Sequence, residues 1–109
     1  MAITAITSVQ EFDEKVLGSK GLVIVDFWAA WCEPCTVMRP EVEAVAERFE
    51  GQVGFFSVDA EDKNLRGVLL KEDIDGIPSM VFYRDGKMLD SLVGYKKADV
   101  LESLIKEVI

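Results

Sequence analysis

Cys32 and Cys35 are the only thiols in this chain, and they stand three positions apart in Trp31-Cys32-Glu33-Pro34-Cys35. Two thiols at that separation can close and open a disulfide ring, and the thiolate is the species that attacks other disulfides. Their setting favours that species. A strongly apolar run precedes them and an amphipathic run follows, so they fall between a strand and the N-terminus of a helix. Unpaired N–H groups and the positive end of the helix dipole stabilise a thiolate there. Cys32, which precedes the helix, is expected to be the attacking and more exposed thiol. Cys35, in the first turn, is expected to be shielded and within reach of Cys32. Pro34 suits the first turn, where a missing N–H costs nothing. Glu33 sets a carboxylate beside the thiols, and its charge opposes a thiolate.

The other uses of such a pair are weaker. Zinc needs two further ligands, and the chain has no histidine and no third cysteine, so no metal is expected. A purely structural disulfide across so short a loop gains little. Two buried spectator cysteines are more plausible than that, but a C-x-x-C between strand and helix has few uses other than redox chemistry.

The elements that must hold this pair can be read along the chain. Ile3 to Ile6 reads as a short edge strand. Ser8 with Glu11 three residues on has the spacing of a capping box, and Val9, Phe12, Val16 and Leu17 follow at helical spacing until Gly18 and Gly21. Leu22 to Ala29 is apolar at nearly every position, the mark of a central strand covered on both faces. The helix after the cysteines carries Met38, Val42, Val45 and Phe49 on one face and Glu43, Glu47 and Glu50 on the other, with Pro40 expected to kink it. Val53 to Val58 reads as a strand and Asp62 to Lys71 as a helix weakened by Gly67. Ile74 to Pro78 is a loop before a strand over Ser79 to Arg84. Asp85-Gly86 predicts a hairpin into an antiparallel strand from Lys87 to Val93. A last helix carries Leu101, Leu104, Ile105 and Val108 on one side and shows no good N-cap. The order β-α-β-α-β-α-β-β-α predicts an α/β fold with a single mixed sheet of about five strands and helices on both faces.

At 109 residues the chain is long enough for one domain, spanning 1–109, and too short for two. Half of it is hydrophobic, and 12 basic against 20 acidic residues give a net charge of −8. Nucleic acid and anionic membranes both call for a basic surface, so neither is an expected partner. With no histidine, proton transfer must fall to carboxylates, thiols or water. Neither a signal-peptide pattern nor an apolar run long enough to span a membrane is present. A soluble cytoplasmic protein is the expectation, and there a cysteine pair is more often catalytic than structural.

The chain resembles the thioredoxin family over essentially its whole length. The residues that carry the likeness are Asp26-Phe27-Trp28-Ala29, Trp31-Cys32 with Pro34-Cys35, Pro40, Asp59, Gly76-Ile77-Pro78, Phe82, Gly86 and Val93-Gly94. The resemblance implies a thioredoxin fold and a thiol-disulfide oxidoreductase without bound cofactor, a protein-disulfide reductant that takes electrons from a thioredoxin reductase (NADPH/flavin- or ferredoxin-linked) and acts as a monomer on disulfide-containing target proteins. It implies that Cys35 resolves the mixed disulfide formed at Cys32, and that Asp26 takes the Cys35 proton, directly or through water. It further implies a cis Pro78 lying against the cysteines, and a docking platform made of Trp31, Gly76, Ile77, Pro78, Val93 and Gly94 with Tyr95. Without that likeness, Trp28, Phe82 and Val93 would read as core packing, Trp31 and Tyr95 as ordinary surface aromatics, and Asp26 as a structural cap.

Four positions depart from the family's habit. Glu33 stands where glycine is usual, Thr36 where a basic residue often follows the second cysteine, and Asp75 where arginine or lysine is frequent. Phe55 occupies a strand position that often holds a lysine near the buried aspartate. Each removes positive or adds negative charge around the thiols, which leaves dithiol chemistry intact and bears on substrate and reductase choice. A disulfide isomerase or oxidase fits less well, given the acidic dipeptide between the cysteines. A redox-gated binding module, clamping a partner on Trp31 and Ile77, is the alternative from another class.

Overall fold

The computed structural model describes residues 2–109. Its five strands are β1 (Ile3–Ala5), β2 (Leu22–Trp28), β3 (Gly54–Asp59), β4 (Ser79–Arg84) and β5 (Lys87–Val93), in the sheet order β1-β3-β2-β4-β5. β3 runs parallel to both β1 and β2, while β2–β4 and β4–β5 are antiparallel, so the sheet is mixed. Six of the seven β2 residues are buried, as an apolar strand with neighbours on both sides and layers on both faces requires.

Four helices cover the sheet: α1 (Val9–Phe12), α2 (Glu33–Arg48), α3 (Arg66–Lys71) and α4 (Ala98–Val108). Alternation along the strands divides the core in two. Leu22, Ile24 and Phe55 face Met38, Val42 and Val45 of α2 and Leu101 and Ile105 of α4. Val23, Val25 and Phe27 face Phe12, Val16, Leu65 and Val68 on the opposite side.

Local signals explain most boundaries. The Ser8 side chain accepts the Glu11 N–H at 3.0 Å, as a capping box requires, but the Glu11 carboxylate returns to the N–H of Thr7 at 2.6 Å and not to that of Ser8. After Phe12 the helix loosens into a π-helical stretch, Asp13–Leu17, where regular helical spacing was expected. The helix predicted over Asp62 to Lys71 begins as a 3₁₀ turn, Lys63–Leu65, capped by the Asp62 side chain. Asp85 and Gly86 have φ of 51° and 82°, the pair of positive values that a tight hairpin turn needs to match strand twist. α2 continues through Pro40 with Met38, Val42 and Val45 buried and Glu43 and Glu47 exposed.

That buried face seats α2, and with it the cysteines, on the sheet. Met38 is 1% exposed, whereas Val37 beside it is 55% exposed. Met38→Ala is expected to cost about 2–5 kcal/mol in urea unfolding, and Val37→Ala no more than about 0.5 kcal/mol. Equal losses at the two sites would show that this face does not anchor the helix.

Candidate functional site

β2 ends at Trp28 and α2 begins at Glu33, leaving four residues to turn the chain. Cys32 is the N-cap of α2. Its backbone is extended (φ −86°, ψ 103°), its sulfur accepts the Cys35 N–H at 3.2 Å, and its carbonyl accepts the Thr36 N–H at 3.2 Å. Its own N–H donates to the Ala29 carbonyl at 3.1 Å. A sulfur thus takes the place usually filled by a serine or aspartate oxygen, at the point where helix N–H groups lack partners. Pro34 lies in the first turn, as predicted, and Glu33 there is exposed.

Cys32 and Cys35 are joined as a disulfide with Cα atoms 5.2 Å apart. Exposure does not separate them as the sequence suggested: Cys32 is 4% and Cys35 6% exposed. Both are packed with Ala29 and covered by Trp28, Ala60 and Ile77. What distinguishes them is position, Cys32 at the cap and Cys35 within the helix.

The expected docking residues are brought together at one end of the sheet. The Ile77-Pro78 bond is cis. The Pro78 carbonyl accepts the Gly94 N–H at 2.8 Å, and Ser79 pairs with Val93 across β4 and β5. A Cβ at Gly76 would sit 3.1 Å from Val93 Cγ1, so this close approach has room for little but glycine. Ile77 is half-buried against the cysteines, while Trp31 and Val93 are 68% and 55% exposed and Tyr95 is also exposed. Val93 is therefore a surface residue and not core packing, and Trp28 is only half-buried. On the helix side a shallow groove of about 460 Å³ is lined by Glu33, Pro34, Val37 and Tyr95.

Asp26 is 5% exposed at the middle of β2 and turns to the α2 face of the sheet, with Ser57 of β3 and Met80 of β4 directly alongside. Phe55 lies one pair back, opposite Ile24, in the apolar core. The positive charge missing from Phe55 comes instead from α2. Arg39 Nη1 lies 3.8 Å from Asp26 Oδ2, and its guanidinium carbon sits 5.4 Å from the centre of the Trp28 ring. Burial pushes the Asp26 carboxyl up to about 6, and the nearby Arg39 charge draws it back only in part. Desolvation wins because the pair is too long for a hydrogen bond and the guanidinium is itself partly solvated. Arg39 is the charged neighbour of Asp26 that the sequence reading missed. Its spacing of four from Cys35 places the two on one helix face, but only the packing of α2 shows that this face meets Asp26.

The family model described as Thioredoxin matches residues 3–107. The thioredoxins of Staphylococcus aureus strains COL and MW2 are 31% identical to this chain over 105 residues, spanning 96% of the chain and 96% of each relative. Among solved structures, a thioredoxin from Malassezia sympodialis superposes with a TM-score of 0.86 at 29% identity, covering 97% of this chain and 90% of that one.

The Asp26 environment sets a direction for stability against pH. Its folded value, about 6, lies above the ordinary carboxyl value of 3.8. The site is therefore unstrained below the ordinary value and loses stability as pH rises through the folded one. Relative to wild type, oxidised Asp26→Asn is expected to gain on the order of 3 kcal/mol between about pH 4 and about pH 8 in urea melts. A stability difference independent of pH would refute this picture of the buried carboxyl.

Proposed function

The chain belongs to the thioredoxin family, and on that premise we propose that Cys32 attacks the substrate disulfide, Cys35 resolves the adduct and Asp26 accepts the Cys35 proton. The chain is a protein-disulfide reductant, a thiol-disulfide oxidoreductase that cycles between the Cys32/Cys35 dithiol and disulfide. Its partners in general are a reductase and disulfide-bearing target proteins.

The observation that carries the assignment is the Cys32 sulfur in the cap position of α2, accepting the Cys35 N–H. In the reduced protein the same N–H groups and helix dipole stabilise negative charge on that sulfur. The Cys32 thiolate attacks one sulfur of the substrate disulfide, a new S–S bond forms, and the first substrate thiolate leaves. Cys35 gives up its proton to Asp26 and attacks Cys32, which closes the internal disulfide and expels the second thiolate. Two electrons and two protons have then passed to the substrate, once Asp26 and solvent return the protons.

Trp31, Gly76, Ile77, Pro78, Val93 and Gly94 dock the polypeptide around the substrate disulfide, an assignment supported by the exposed apolar side chains beside the cysteines. Glu33 and Pro34 tune the couple and set a carboxylate on the rim of the neighbouring groove. The whole chain works as one domain and as a monomer in the cytoplasm, reduced by an NADPH/flavin- or ferredoxin-linked enzyme. The Cα radius of gyration of 12.5 Å is that of one compact unit of this length, which supports the single domain.

Insulin reduction by dithiothreitol tests the division of labour. Cys32→Ser is expected to abolish catalysis, because no nucleophile remains at the cap. Cys35→Ser is expected to react once and remain as a covalent mixed disulfide, detectable by mass. Normal turnover by Cys35→Ser, or the trapped adduct in Cys32→Ser, would reverse the roles. A protein that binds peptides but fails to accelerate the reduction would instead be a redox-gated binding module.

A further inference from the structure

Beside Cys35, α2 and the end of β2 enclose a cleft of about 310 Å³ lined by Trp28, Cys35, Thr36, Arg39 and Pro40. Pro40 has no N–H, so the Thr36 carbonyl one turn back lacks its usual helical donor, and both residues line this cleft. Arg39 is its only charged wall, and the same guanidinium lies on the Trp28 ring and 3.8 Å from Asp26. A cation on an aromatic face is held in place without being neutralised.

The positions paired with Asp26 across the sheet, Ser57 and Met80, are uncharged. Alongside it, β3 presents Ser57 and Phe55. Asp59, two residues beyond Ser57 on the same face, accepts the Glu61 N–H at 2.9 Å. β4 contributes Met80 and Phe82, and α4 contributes Ala98, Leu101 and Ile105 to the shared core. From α2, Cys35 and Arg39 line the adjoining cleft, and Arg39 lies 3.8 Å from the carboxylate. A buried carboxylate among apolar neighbours favours its protonated form, which cannot take a proton from Cys35.

We propose that Arg39 is a positioning residue for the resolving step: seated on Trp28, its guanidinium keeps Asp26 ionised and oriented so that the carboxylate can take the Cys35 proton. The lysine expected near Asp26 from family habit, absent at Phe55, is thereby replaced from the helix above the sheet. This inference rests on the assignment of Asp26 as the proton acceptor. In the step itself Asp26 gains the Cys35 proton, the Cys32–Cys35 bond forms, the bond from Cys32 to the substrate sulfur breaks, and the substrate leaves as a thiolate.

The test is rapid mixing of the fully reduced protein with dithiobis-nitrobenzoate over a range of pH. One coloured thiolate is released when Cys32 attacks and a second when Cys35 resolves, so the two steps are seen as successive phases. In Arg39→Met, which keeps an apolar stem over Trp28, the pH midpoint of the second phase is expected to rise by about one unit, the lower end of what a neighbouring opposite charge supplies. Below that midpoint resolution slows about tenfold. The midpoint of the first phase stays in place, and Arg39→Lys restores most of the second-phase shift. Titration of the Asp26 carboxyl carbon by NMR is expected to move upward by the same amount in Arg39→Met. An unmoved second-phase midpoint in a folded Arg39→Met protein overturns the proposal. Asp26→Asn separates the two layers: if it loses the second-phase pH dependence while Arg39→Met keeps it, Arg39 alone is misassigned, and if it retains the wild-type profile, the Asp26 role falls first.

Discussion

The rest of the site depends on a sulfur standing where a helix expects an oxygen. Cys32 caps α2 by accepting the Cys35 N–H, so the atom proposed to carry negative charge during turnover already sits among the helix's unpaired donors. The two cysteines need no third group to bring them together, because the cap geometry sets their Cα atoms 5.2 Å apart. Fixing that cap in turn requires α2 to be held against the sheet. Met38, Val42 and Val45 do this from the helix, against Leu22, Ile24 and Phe55 from the strands. Core packing and thiol chemistry are therefore coupled through a single helix axis.

Beneath that helix the protein tolerates a carboxylate in an apolar strand. Most buried polar groups are fully hydrogen-bonded, yet the nearest cation to Asp26 stands at 3.8 Å, and burial prevails in raising the carboxyl to about 6. A raised carboxyl is a more effective proton acceptor than an ordinary one, provided some fraction remains ionised near neutrality. Burial supplies the basicity and Arg39 limits how far it goes. The balance is set by two elements, β2 for the carboxylate and α2 for the guanidinium.

The platform beside the cysteines is built by a different logic. Backbone contacts hold it: Gly94 N–H to the Pro78 carbonyl, the pairing of Ser79 with Val93, and the near contact of Gly76 with Val93. Because the backbone holds these segments, the side chains of Trp31, Val93 and Tyr95 are left exposed. Apolar side chains exposed together on a rigid frame suit the docking of an extended peptide proposed for this surface.

The sequence alone determined the elements whose signals are local. The apolar run of β2, the helical spacing of Met38, Val42 and Val45, the Asp62 to Lys71 helix in outline and the Asp85-Gly86 hairpin all follow from side-chain periodicity or from φ preferences within a few residues. The cysteine pair at a helix N-terminus followed from the same kind of evidence. The docking residues and a proton-accepting Asp26 were suggested only by family likeness, since nothing local marks Gly76 or Val93 as neighbours. Tertiary structure decided the rest. α4 has no side-chain cap of its own, and the Glu41 carboxylate of α2 accepts the Ala98 N–H at 2.8 Å, across 57 residues of chain. Arg39 finds Asp26 only because α2 lies over β2, and Cys32 is as buried as Cys35 only because Ala60 and Ile77 close over the ring. Such contacts depend on where whole elements pack, and no preference confined to a few consecutive residues encodes that distance.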